Sequence, residues 1–132
     1  MNIELIDNSE LVKEEFESAC LRALARCGLQ AEDYAKDLCP VDEGTLRNSI
    51  SNKVDEAEPA VYVGTNMEYG PYVELGTGIH YPGGRQTPWS YKDEKGNWHR
   101  TRGQEAQPFL KPAVAGHGQT YRSIIADELK NS

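Results

Sequence analysis

Apolar residues recur every three or four positions from Leu11 to Leu38. The series is Leu11/Val12, Phe16, Ala19/Cys20, Ala23/Leu24, Cys27, Ala31, Tyr34/Ala35 and Leu38. That spacing gathers them on one face of a helix. Asn8 or Ser9 can cap its start, and Glu10, Glu14 and Glu15 place negative charge in the opening turns, where the helix dipole favours it. Pro40 ends the run. A stripe of roughly 28 residues is about 42 Å long, more than a small core can cover. Part of the helix is therefore expected to meet a neighbouring subunit. Gly28 lies inside the stripe at a cost of about 1 kcal/mol against alanine, which predicts a bend or two abutting helices. Arg22 and Arg26 lie four apart and are expected to face away, with Lys13 and the glutamates.

Beyond the helix, Cys39 to Leu46 reads as a tight turn. Asp42 can bond backbone N–H groups ahead of it, and Gly44 can take a positive φ. Residues 46–54 read as a first strand and residues 60–65 as a second, rich in β-branched and aromatic residues. The acidic turn Asp55-Glu56-Ala57-Glu58-Pro59 joins them, so the pairing is antiparallel. Tyr69, Tyr72, Val73 and Leu75 suit one short turn of helix packed on the sheet, and Gly76 and Gly78 release the chain into a loop, His80 to Pro88. Trp89-Ser90-Tyr91 and Asn97-Trp98-His99-Arg100 flank a polar turn, as in a β-hairpin. Pro108 opens a terminal helical region that Gly116 and Gly118 interrupt. Tyr121, Ile124, Ile125 and Leu129 give the last helix its apolar face. The expected fold is α+β: a long N-terminal helix and a C-terminal helix on an antiparallel sheet of about four strands, with a long flexible loop and hairpin, in one domain over residues 1–132.

A chain of 132 residues that is 38% hydrophobic and 27% charged can bury a core without staples. No apolar run is long enough to span a membrane, and the first residues lack a signal-peptide pattern. Synthesis and folding in a reducing cytoplasm are expected. Three cysteines, Cys20, Cys27 and Cys39, show no CxxC spacing, so they read as small buried hydrophobes. The net charge of −7 argues against a non-specific nucleic-acid coat.

No constellation for catalysis emerges. His80, His99 and His117 are scattered and unpaired. Glu68 and Glu74 form a carboxylate pair only if the chain doubles back sharply, and Cys39 has no partner base in view. Gly76-Thr77-Gly78 lacks the lysine of a phosphate loop. No enzyme activity, cofactor or metal is expected. Arg85, Arg100, Arg102 and Lys92 or Lys95 cluster in the loop and hairpin. They form either a positive surface, for DNA phosphate or an acidic partner, or simply solvated charges. Tyr81, Trp89 and Trp98 suit interface anchors, with Arg85 and Arg100 at the rim.

Four runs stand in order: Ala35 to Ile50, containing Pro40-Val41-Asp42-Glu43-Gly44-Thr45-Leu46-Arg47-Asn48-Ser49-Ile50; Val61 to Thr65; Glu68-Tyr69-Gly70-Pro71-Tyr72-Val73-Glu74-Leu75-Gly76-Thr77-Gly78; and Gln107 to Ala113. Together they resemble the HK97 gp10-like family of tailed-phage and prophage minor tail, head–tail connector or tail-completion proteins, over about residues 8–130. The resemblance implies a non-catalytic subunit of a ring, commonly hexameric, at the junction of capsid and tail. Head-side connector or stopper proteins and tail-side terminator or tube proteins would be its partners, and double-stranded DNA would pass through it. It would reside in the virion neck after assembly in the host cytoplasm. Pro40, Asp42, Gly44, Leu46, Arg47 and Ser49 would form the turn that launches the sheet. Tyr69, Tyr72, Glu74, Gly76 and Gly78 would lead to the mobile loop. Departures from the family pattern are small: Gly70 where alanine is common and Leu75 where phenylalanine is. The competing readings are a regulatory or antitoxin-like binding domain of a mobile element, which needs a basic face, and a small hydrolase, which needs converging histidines.

Overall fold

A computed structural model describes residues 7–40, 44–93 and 95–130. Helix α1 runs unbroken from Ser9 to Leu38. Its start is held by Asp7, whose carboxylate accepts from the Ser9 N–H at 2.9 Å, while Asn8 makes no side-chain cap bond. The short helix α2 (Thr45–Ser49) follows, then strands β1 (Ser51–Asp55) and β2 (Ala60–Gly64), helix α3 (Gly70–Leu75) and a 3-10 turn (Gly78–His80). Strands β3 (Trp89–Lys92) and β4 (Trp98–Thr101) precede helices α4 (Leu110–Ala115) and α5 (Gly118–Lys130). The architecture is α+β. Its four strands form two separate antiparallel ladders, β1–β2 and β3–β4.

The buried face of α1 is made of small residues: Ala19, Ala23, Cys27, Gly28, Ala31 and Ala35. The β1–β2 hairpin lies close against it. The register pairs Asn52 with Val63 and Val54 with Val61, so these four share the face turned to α1, while Lys53 and Tyr62 point away. Gly28 lies where the two approach closely, and it does not divide the helix, which continues through it. A Cβ there would stand 2.5 Å from Asn52 Oδ1 and 2.7 Å from Val61 Cγ2. Gly28→Val is expected to cost about 1–3 kcal/mol through overpacking, despite the better helix propensity. Chemical denaturation measures it.

Residues 45–49 are helical rather than part of the first strand. Leu46 and Ile50 are both in the core while Asn48, which a strand would place on the same face as them, is exposed, as helical spacing requires. Ser49 Oγ donates back to the Leu46 carbonyl at 2.6 Å, and Gly44 enters the helix at φ 77°. The core gathers Ala35, Cys39, Leu46, Ile50, Phe109 and Ala113, with Val63, Met67 and Val73 at its edge.

Helix α5 runs antiparallel to α1. Arg22 Nε donates to Glu128, Arg26 Nη1 to Asp127 and Glu128, and Tyr34 meets both His117 and Tyr121. Arg22 and Arg26 face outward as expected and are exposed, but they do not stand free. They bind the two helices together, through a periodicity in α1 that cannot reveal partners about a hundred residues away. The rings of Tyr34 and His117 stack at 3.5 Å.

Candidate functional site

The segment from α3 onward leaves the body and returns to it at one place. At the base, the Glu74 carboxylate accepts from the backbone N–H groups of Phe109 (2.7 Å), Leu110 (2.9 Å) and Lys111 (2.9 Å). Those donors open α4 and have no partner within it. The two glutamates considered as an acid/base pair are thus accounted for differently: Glu74 is a helix cap and Glu68 is exposed. Just beyond, Thr77 N–H bonds the Gln104 carbonyl at 2.9 Å and Ile79 N–H the Arg102 carbonyl at 3.0 Å. The two backbones cross at Gly78 and Gly103. A Cβ on Gly78 would fall 2.0 Å from the Arg102 oxygen, and one on Gly103 2.0 Å from the Thr77 oxygen. Gly76 has φ 86°.

Outside this clasp lie the loop and the β3–β4 hairpin. Tyr81 meets Tyr72 with ring centroids 5.4 Å apart, and the Arg85 guanidinium lies over the Trp89 ring at 5.6 Å. Together they line a hollow of about 360 Å³. Trp89 is half-buried at the hairpin base, whereas Trp98 is 71% exposed. The register pairs Lys92 with Trp98 and Ser90 with Arg100, which places Lys92, Trp98 and Arg100 on one face. The opposite face carries Trp89, Tyr91, His99 and Thr101, with Tyr91 and His99 stacked at 5.3 Å. At the turn, His99 Nε2 lies 2.7 Å from Asp93 Oδ2, and Asp93 Oδ1 accepts from the Lys95 and Asn97 N–H groups. These bonds, that of His99 foremost, hold the Asp93 carboxyl below its ordinary range. A carboxyl with a lowered folded pKa stabilises the turn above its unfolded value of 3.8, and the contribution is lost as pH falls through the lower folded value. The hairpin amides are therefore expected to lose dispersion below about pH 4 while α1 keeps its own, a difference visible by NMR.

Of the proposed turn residues, Pro40 is half-buried, Gly44 takes the left-handed conformation, Leu46 is in the core and Arg47 is exposed. Asp42 lies outside the described residues. Tyr69 and Tyr72 are exposed.

The chemistry available is sparse. An apolar cleft of about 200 Å³ lies between α1, β2 and α5, lined by Leu24, Cys27, Ala31, Val61, Val63 and Tyr121 among others. Burial pushes the Cys27 and Cys39 thiols up, away from reactive thiolate. The three histidines sit in separate surroundings. Among the described residues no group of three or more His, Cys, Asp or Glu is placed to hold a metal, and no helix is long and apolar enough to cross a membrane.

What the surface offers instead is exposed apolar bulk. Leu11, Val12 and Phe16 project from the first turns of α1, each more than half exposed, and Tyr62, Tyr72 and Trp98 project elsewhere.

Residues 3–76 match the family model described as "Bacteriophage HK97-gp10, putative tail-component". The chain belongs to the HK97 gp10-like family. It is thereby a structural protein related to phage tails. No curated protein and no solved structure matches it. The portion common to the HK97 gp10-like family takes in α1, α2, β1, β2 and α3, and closes at Gly76, where the clasp begins. The resemblance read as far as residue 130 is matched only that far. Sequence reasoning missed the capping role of Glu74, whose partners are 35 to 37 residues on, and missed Gly103 altogether. The Gly78/Gly103 pairing had one visible signal, a glycine at each end of the excursion.

Proposed function

We propose that this protein is a ring-forming subunit at the head–tail junction, acting in neck assembly or tail completion, with double-stranded DNA passing through the ring and no chemistry performed. The whole chain acts as one domain. A head-side connector or stopper and a tail-side terminator or tube protein are its partners in the virion, and assembly takes place in the host cytoplasm. The observation that carries this reading is the excess of exposed apolar and aromatic surface on elements outside the core, in a chain of a phage-tail family. Association buries such surface, and symmetric rings are a common way to do so. The net charge of −7 suits a conduit, because an acidic lumen offers DNA phosphates no counterion release and so no adhesion. Tyr81, Arg85, Trp89, Trp98 and Arg100 belong to the contact surface in this reading, and the Gly78–Thr101 excursion orders fully only when it docks.

The test is a deletion of the coding sequence from its phage or prophage, followed by electron microscopy of the lysate. Filled heads and separate tails, joined again on complementation, are expected. Normal joined particles from the deletion would defeat the proposal.

A further inference from the structure

Two surfaces of this chain match each other in apolar character and in charge. The first is a hollow of about 440 Å³ between α1 and the β1–β2 turn. Phe16, Leu21, Ala57 and Pro59 give it apolar walls, and Glu17 and Glu56 stand on its lining. Its surroundings are strongly acidic: residues 9–21 carry four glutamates against one lysine, and the turn adds Asp55 and Glu58. Asp55 Oδ1 accepts from the Ala57 and Glu58 N–H groups, so the turn holds its shape. The second surface is the hairpin face bearing Trp98 between Lys92 and Arg100. Neither cation forms an ion pair among the described residues. Residues 78–103 carry five lysines and arginines against two acids, in a chain of net charge −7.

We propose that Trp98 of one copy seats in the Phe16/Leu21 hollow of a second copy, with Lys92 and Arg100 meeting Glu17 and Glu56. An exposed indole flanked by cations suits an apolar hollow flanked by carboxylates, and tryptophan and arginine are the residues that most often carry interface energy. The occupant is a second copy because both halves of the match are on the same chain, and among the described residues no hydrogen bond or ion pair joins them within it. Two different patches make the contact heterologous, so it propagates from copy to copy and closes into a ring when the rotation permits. The contact deepens the assembly reading above and rests on it for its purpose in the particle.

Sedimentation equilibrium on the full chain tests it. Wild type associates with concentration, more weakly in high salt. Trp98→Ala weakens association roughly thirty-fold or more. The double variants K92E/R100E and E17R/E56R are each monomeric alone, since like charges then face each other. Mixed together they associate, because each presents a complement to the other. Self-association that survives Trp98→Ala and both charge reversals overturns the contact, as does a wild type that stays monomeric at every concentration or a mixture that fails to associate while each variant melts like wild type. Complementing the deletion with E17R/E56R separates the two readings. Loss of joined particles, regained when K92E/R100E is supplied with it, supports the contact. Joined particles from E17R/E56R alone refute the contact and leave the junction role standing.

Discussion

Phe109→Ala is expected to destabilise the protein by about 3–5 kcal/mol. Phe109 is the one large side chain of the described core with no exposure at all. Its neighbours Ala35, Cys39 and Ala113 are small, and Leu46 and Ile50 are fixed by α2, so little around the ring can move in to fill its place. The cost therefore belongs at the upper end for an aromatic truncation. Folded domains hold only about 5–15 kcal/mol in total, so the loss is a large share of it. Thermal and urea denaturation would read it directly. Phe109→Leu keeps most of the volume and should cost well under half as much. Equal effects from the two variants would mean that the site tolerates collapse and that the core is centred elsewhere.

Glu74→Ala comes next, at about 2–3 kcal/mol. One carboxylate serves three backbone donors, and its removal strands them at the start of a six-residue helix. Hydrogen bonds to a charged acceptor are worth more than neutral ones. Glu74→Gln keeps one carbonyl oxygen but turns an amide N–H₂ toward a donor, so it should fall between wild type and alanine. The loss has a signature that a core defect lacks. Glu74 closes the base of the 76–107 excursion, so its replacement should expose residues 79–102 to limited proteolysis before α1 is cut. Cleavage spread evenly over both regions would argue that Glu74 is an ordinary surface cap.

Much of the fold was legible because the signals were local. The three- and four-residue recurrence from Leu11 to Leu38 corresponds to α1, the β-branched run Ala60–Gly64 to β2, and the aromatic alternation around Gly96 to β3 and β4. Local signals also misled. Residues 46–50 satisfy a strand pattern through Leu46, Asn48 and Ile50, whereas the helix buries Leu46 and Ile50 and leaves Asn48 exposed. Gly28 reads as a helix breaker until the Asn52 and Val61 side chains are placed against it. The helix stripe does not say where the core ends: Ala19 is buried, whereas Phe16, one turn earlier on the same face, is 55% exposed. What stayed hidden was long-range, namely the partners of Arg22 and Arg26 on α5, the donors held by Glu74, and the contact of Gly78 with Gly103.

The central claim is that this chain is a structural part of a phage particle and works by assembling. Quantitative mass spectrometry of purified particles, released from cells carrying the genome that encodes it, tests that claim most directly. The chain is expected in every joined particle, at a small fixed ratio to the portal protein, and retained through density-gradient purification. Its absence from joined particles, with the protein abundant in the same lysate, would contradict the account.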